Sequence, residues 1–271
     1  PVVALLAEFD ALPGLSQAVA PTQQSLGHRA GHGCGHNLFG TASSYAAIAV
    51  KEWMIANNIK GELRLYGTPA EEGGSAKAFM VRDGLFDDVD VALHWHPGST
   101  NSASQGTTKA NISGKFRFYG VSSHASGAPD RGRSALDAVE AMNNMVNMMR
   151  EHIPDGARIH YVITNGGEAP NVVPSFAESY YYVRDGNPQT VLDVIDRVKK
   201  AAEGAALGTG TRFEFQQIGG VYSMMPNGAL MAVMDRNLHH VGGITWTPEE
   251  IAFATEIQKT LTSQPPLSSV G

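Results

Sequence analysis

With 271 residues, 42% of them hydrophobic, the chain is long enough to bury one large core or two ordinary ones. A net charge of -6 without any Lys/Arg-rich run excludes general attraction to a phosphate backbone, so nucleic acid is not an expected partner; the longest apolar runs, 2–7 and 46–50, are far too short to span a bilayer. The single cysteine, Cys34, excludes an internal disulfide framework and suits a reducing cytoplasm, while a charged fraction of 17% against the roughly 25% usual in soluble proteins points to extra buried surface, such as an oligomer contact.

In chain order, 2–7 reads as a strand buried on both faces, followed by an Ala-rich helix over 41–57 and strands at 62–66 and 89–95. A shorter helix fits 75–84. Strands alternating with helices predict a mainly parallel α/β sheet over 1–106. The pattern then changes to a strand at 109–121, a helix at 134–151, strands at 158–164 and 176–184, a helix at 188–206 and a strand at 211–218. That order, β-α-β-β-α-β, is a ferredoxin-like unit, and we read 107–220 as a domain inserted into the first. Met142, Met145 and Met149 recur at helical spacing opposite Asn143, Asn144 and Asn147, a stripe suited to packing or dimer contact. From about 228 the chain returns to helices, and Thr247-Pro248-Glu249-Glu250 carries the signals of a capped helix start. Residues 221–271 read as an incomplete return of the first domain.

Four segments carry chemistry. In Gly31-His32-Gly33-Cys34-Gly35-His36-Asn37, alternate glycines let the backbone fold tightly, so Cys34 and His36 can reach one ion. Cys34 also precedes a predicted helix N-terminus, which favours its thiolate. Taken alone, the stretch is equally a glycine-rich turn with a buried thiol. Thr68-Pro69-Ala70-Glu71-Glu72-Gly73-Gly74 places two adjacent carboxylates at a strand end, which is costly unless positive charge is near; the bland alternative is a solvated acidic turn. His94-Trp95-His96-Pro97 ends the next strand with two histidines on one face. Asp10, in Ala7-Glu8-Phe9-Asp10-Ala11-Leu12-Pro13, ends the first strand. Asp10, Glu71, Glu72 and His96 thus all follow carboxyl ends of strands, where open α/β sheets bind ligands, and the Cys/His loop lies between two of them. A metal site is the reading that accounts for all four segments together.

These segments, with Met80-Val81-Arg82-Asp83-Gly84 and Gly132-Arg133-Ser134-Ala135-Leu136-Asp137-Ala138, resemble the metal-dependent amidohydrolases of the aminoacylase and carboxypeptidase superfamily nearly end to end. The Cys34-Gly35-His36 form is similar to the branch with indole-acetyl-amino-acid hydrolases, hippurate hydrolases, p-aminobenzoyl-glutamate hydrolases and dipeptidases for basic dipeptides. The resemblance implies a two-metal exopeptidase-like α/β catalytic domain with an inserted ferredoxin-like lid and dimerisation domain. It further implies two divalent ions, Zn or Mn, bridged by Cys34, with His36, Glu72 and His96 as further ligands and Glu71 as general base. Asp10 orients a ligand, and His94 supports the site rather than ligating.

In the inserted domain, the resemblance gives His124, in Val121-Ser122-Ser123-His124-Ala125, a role at the neighbouring subunit's substrate carbonyl. Asn171 and Arg184 resemble substrate-contacting positions, Arg184 being suited to a carboxylate. A homodimer, or a heterodimer with a homologous subunit, follows from the same likeness. One departure stands out: nothing after Leu261 resembles the family's last metal-binding histidine, and His239 and His240 read as surface residues near a helix C-terminus. With the abrupt start at Pro1, this leads us to expect a fragment that binds metal weakly. The activity expected of the whole is hydrolysis of an N-acyl amino acid, an acyl-glutamate or a basic dipeptide. The rivals are a non-catalytic metal-binding partner subunit and a purely structural metal site.

Overall fold

A computed structural model describes residues 1–103 and 106–264, which divide into two compact units. One runs from Pro1 and resumes at Asn227; the other is Gly106–Pro226. Among the described residues no helix is long and apolar enough to cross a membrane.

The first unit is built on a parallel sheet of three strands, β1 (Val2–Glu8), β4 (Glu62–Thr68) and β5 (Val91–Leu93), in the order β4-β1-β5. Two short strands, β2 (Leu12–Pro13) and β3 (Ala30–Gly31), pair as a small ribbon after β1. Helix α1 (His36–Ala56) packs on β1 and β4, and α2 (Ala76–Arg82) follows β4. The helix predicted from 41 begins five residues earlier, because Gly35 takes a left-handed conformation (φ 76°) that turns the loop straight into α1. The strand read as buried on both faces is buried mainly at Ala4, Ala7 and Glu8, since a single helix covers one side of the sheet. α1 turns His36, Phe39 and Ser43 inward and leaves Tyr45, Trp53 and Ile55 more than half exposed. Helices α5 (Gly228–Val241) and α6 (Pro248–Gln258) contain no buried residue. His239 and His240 lie in the last turn of α5, exposed, with His239 Nδ1 donating to the Asp235 carbonyl at 2.9 Å. α6 starts with the full capping box at Thr247 and Glu250.

The second unit is a four-stranded antiparallel sheet with two helices on one face. Its elements are β6 (Ala110–Tyr119), α3 (Ala135–Met149), β7 (Arg158–Asn165), β8 (Phe176–Asp185), α4 (Pro188–Thr209) and β9 (Arg212–Val221), and its strands lie in the order β7-β8-β6-β9. This is the ferredoxin-like order read from the sequence. Strand alternation sends Phe116, Phe118, Tyr181 and Val183 to the helices, where α3 adds Ala135, Val139, Met142 and Val146 at helical spacing. α4 adds Val191, Val194, Ile195 and Val198. Each large side chain buried this way contributes about 1.5–3 kcal/mol. Ser134 and Asn187 cap α3 and α4 by accepting from the N–H of Asp137 and Gln189.

The Met/Asn stripe of α3 needs one correction. Met142 is in the core as a packing residue, but Asn143 is buried too, not opposite it. Tyr181 donates its hydroxyl to Asn143 Oδ1, which supplies the partner a buried amide requires.

Candidate metal centre

Every chemistry-bearing residue of the first unit lies at the carboxyl ends of β1, β4 and β5, or at the N-terminus of α1. β1 is the central strand, so the residues that end it, Glu8 and Asp10, stand between the turn after β4 and the segment after β5. Gly40 permits the close approach of α1 to this strand end: a Cβ there would lie 2.9 Å from the Glu8 carbonyl oxygen.

Asp10 ties two of the segments together. Its Oδ1 accepts from His36 Nδ1 at 3.0 Å, and its Oδ2 accepts from the backbone N–H of Glu72, also at 3.0 Å. The turn carrying Glu71 and Glu72 is closed by the N–H groups of Gly74 and Ser75 on the Ala70 carbonyl, and Ala70 itself has φ 55°. A non-glycine residue held there costs about 1–2 kcal/mol, strain that sits directly before the paired carboxylates.

With Nδ1 given to Asp10, the neutral His36 ring presents Nε2 as a lone pair. His96 is arranged alike: its Nδ1 donates to the Pro97 carbonyl at 2.8 Å, and Nε2 lies 3.4 Å from Cys34 Sγ. The His36 and His96 rings sit edge to face, 5.5 Å apart. Cys34, His36 and His96 therefore bring one sulfur and two imidazole donors within reach of one ion, and Glu8, His36 and Glu71 form a second such group.

The electrostatics favour a cation. Three buried polar atoms at this place, Glu8 Oε2, His36 Nε2 and Glu72 Oε1, make no hydrogen bond among the described residues. Each such atom left unpaired costs about 1–3 kcal/mol, and a divalent ion suits all three. Burial, followed by Glu72, Glu71 and Glu8, pushes the Cys34 thiol up to about 11. This reverses the expectation from the helix N-terminus: carboxylates outweigh it, and a thiolate here requires added positive charge. Desolvation, then the charges of Glu8 and Glu72, raises the Glu71 carboxyl above the usual range. Glu71 is also more exposed than Glu72.

Two participants, Glu8 and Lys77, are not evident from the sequence, whereas His94 has the supporting role expected of it. Glu8 is 2% exposed, and its Oε1 accepts from Lys77 Nζ and, at 3.2 Å, from His94 Nε2. Burial alone raises a carboxyl, but these two partners outweigh it and hold Glu8 at about 2. The available signal was spacing: Glu8 and Asp10 are two residues apart at a strand end, hence on one face. His94 thus braces Glu8, while its ring stacks edge-on against Phe39 at 5.1 Å.

His124, Asn171 and Arg184 belong to the second unit. His124 and Asn171 lie on adjoining segments: His124 bridges to Val172, and the Asn171 carbonyl accepts from Ala125 N–H at 3.0 Å. His124 Nδ1 accepts from the N–H groups of Ser126 at 3.2 Å and Gly127 at 2.9 Å, which leaves Nε2 as the protonated nitrogen. Arg184 is on the open face of the sheet, between Asn111 and Arg158 in register, with its guanidinium 5.1 Å from the Tyr182 ring centroid.

Comparison with known proteins agrees with this arrangement. Residues 107–209 match the peptidase dimerisation domain family. The chain is 50% identical to one of the subunits of p-aminobenzoyl-glutamate hydrolase from Escherichia coli, over 97% of this chain and 55% of that protein. It is 30% identical to the Xaa-Arg dipeptidase of Mus musculus, over 89% of this chain and 53% of that one. The chain thus spans about half the length of the curated relatives it matches. Among solved structures, the aminobenzoyl-glutamate utilization protein of Klebsiella pneumoniae shares the fold, with a TM-score of 0.68 at 23% identity, over 96% of this chain and 64% of that one. Motifs, fold and relatives converge on one likeness: along nearly its whole length the chain is similar to hydrolases and dipeptidases of the metal-dependent aminoacylase and carboxypeptidase superfamily.

Proposed function

We propose that this chain is the greater part of a metallo-amidohydrolase that cleaves the amide bond of an N-acyl amino acid, with an acyl-glutamate such as p-aminobenzoyl-glutamate as the favoured substrate. The observation that carries the reading is the convergence of Cys34, His36, His96 and the paired Glu71 and Glu72 at one sheet end, with buried lone pairs aimed inward. The 50% identity to one chain of a p-aminobenzoyl-glutamate hydrolase supports the substrate class.

Cys34, His36, Glu72 and His96 would hold two divalent ions, Zn or Mn, and such ions would supply polarisation of the scissile carbonyl and a lowered pKa of the attacking water. Glu71 takes the proton from the attacking water and passes it to the leaving amine, acting as general base and then as general acid. Asp10 fixes the His36 ring and the Glu72 backbone, so it sets geometry without touching the substrate. His124, with its proton on Nε2, donates to the carbonyl oxygen as negative charge develops. Asn171 contacts the substrate, and Arg184 is suited to clamp its free carboxylate.

We assign residues 1–106 and 221–271 to the catalytic domain and 107–220 to a lid that dimerises, with itself or with a homologous subunit, and delivers His124 to the neighbouring site. A cytoplasmic setting suits the lone thiol at the centre. Hydrolysis of basic dipeptides is the second reading, supported by the likeness to an Xaa-Arg dipeptidase.

Two variants of the full-length protein test the assignment. Glu71→Gln is expected to lower kcat by at least 10²–10⁴-fold with metal retained, because an amide cannot exchange the proton. Glu72→Gln is expected to lose metal. Near-normal kcat in Glu71→Gln, or equal metal loss in both, defeats the division of roles.

A further inference from the structure

We propose that Glu8 is itself a ligand of the ion held by His36, an additional protein donor that none of the motif resemblances assigns. The inference rests on the metallohydrolase reading above and deepens it.

The two oxygens of Glu8 are used differently. Oε1 is saturated by Lys77 and His94. Oε2 is buried and lies 3.1 Å from His36 Nε2, which is buried as well, and neither atom makes a hydrogen bond among the described residues. Since the Nδ1 proton of His36 is committed to Asp10, Nε2 presents a lone pair. Two buried lone pairs therefore confront each other, 3.1 Å apart, in residues 2% and 0% exposed.

Either a proton on Nε2 or a cation beside both atoms relieves that repulsion. A proton on Nε2 would leave a close ion pair without the alignment of a hydrogen bond. A cation meets the geometry. Two donors, each roughly 2.0–2.2 Å from one zinc-like ion, stand roughly 3–3.5 Å apart. The Glu8–His36 pair at 3.1 Å and the Cys34–His96 pair at 3.4 Å both fall in that range. The position of Lys77 then makes sense, since on the oxygen turned away from His36 it keeps Glu8 a carboxylate without occupying the donor atom. A purely structural Lys77–Glu8 ion pair would leave Oε2 with no use for its burial.

The test is zinc binding, followed by elemental analysis and by competition with a chromophoric chelator, on full-length wild type, Glu8→Gln and Glu8→Asp. Asp keeps the charge opposite Lys77 but withdraws the carboxylate by one methylene. At free Zn²⁺ that loads the wild type with two ions, both variants are expected to hold one, or to bind the second at least 10–100-fold more weakly, with an unchanged circular dichroism spectrum. Two ions at wild-type affinity in either folded variant overturn the proposal. A wild type that binds no zinc overturns the metallohydrolase reading itself. Should both variants misfold, the anomalous difference map of zinc-loaded wild-type crystals decides. An ion at bonding distance from Glu8 Oε2 supports the proposal, and none within about 3 Å, well beyond a zinc–oxygen bond, overturns it.

Discussion

Glu178 offers the most exact test of how the second unit is held together. Its side chain is 10% exposed near the start of β8. It accepts from Lys115 at 2.9 Å, from Arg117 at 2.7 Å and from Thr164 at 2.8 Å. Burial alone would raise this carboxyl, but the three donors outweigh it and bring Glu178 from an ordinary 4.5 to about 2. A folded pKa below the unfolded one means that the stabilisation is complete above about 4.5 and is lost as pH falls towards 2. At 1.36 kcal/mol per unit, the charged form contributes on the order of 3 kcal/mol, reduced somewhat because Lys115 and Arg117 are each 30% exposed. Glu178→Gln should therefore destabilise the unit by about 2–3 kcal/mol at pH 7 and by much less at about pH 2–3. All three tryptophans, Trp53, Trp95 and Trp246, lie in the first unit, whereas Tyr119, Tyr161, Tyr180, Tyr181 and Tyr182 lie in the second. Urea unfolding followed by tyrosine near-ultraviolet circular dichroism thus reports mainly on the second unit. A destabilisation by Glu178→Gln that is the same at neutral pH and at about pH 2.5 would refute the reasoning.

Other expectations follow from the same geometry. Tyr181→Phe leaves Asn143 Oδ1 buried without its donor and should cost about 1–3 kcal/mol in the same unfolding assay. An acyl-glutamate should be turned over with higher kcat/KM than the same compound amidated at its α-carboxylate; equal values count against Arg184 as a clamp. Mixing His124→Ala with Glu71→Gln full-length protomers should restore part of the lost activity, and no recovery in verified mixed dimers excludes action across subunits.

The sequence revealed most where period and chemistry agree. The second unit was legible because its strands alternate and its helices repeat in the same segments, so Phe116, Val139 and Val194 fall on the buried side by either criterion. Asn143 was not legible: a polar side chain in a helix reads as outward unless its partner is known, and that partner, Tyr181, is 38 residues away. The start of α1 was missed for a different reason. The Gly/His run looks like a loop, yet only Gly35 needs a loop conformation, and His36 already belongs to the helix. That shift matters because it buries His36 and aims its ring between β1 and β5.

Glu8 shows why the centre was only partly readable. The motif residues were recognised through loops, where a cysteine, a histidine or a pair of glutamates is conspicuous. Glu8 is the last residue of a strand of apolar residues, where a lone carboxylate looks like an end residue facing water. Its burial becomes tolerable only through Lys77 and His94, 69 and 86 residues further along the chain. The parallel register that pairs Glu8 with Thr68 brings α2, and with it Lys77, to the end of β1; β5 pairs with the other edge and brings His94. A buried ionised group is specified by the fold that supplies its counter-charge, so the spacing from Asp10 suggests the face of Glu8, but topology makes it part of the site. Asp10 shares the face of Glu8 and fixes His36 from one side, and Glu8 closes on the same ring from the other. The imidazole between them is held at Nδ1 by Asp10 and faces Glu8 Oε2 at Nε2, 3.1 Å away, an arrangement that orients one donor atom and concentrates negative charge where a divalent ion would neutralise it.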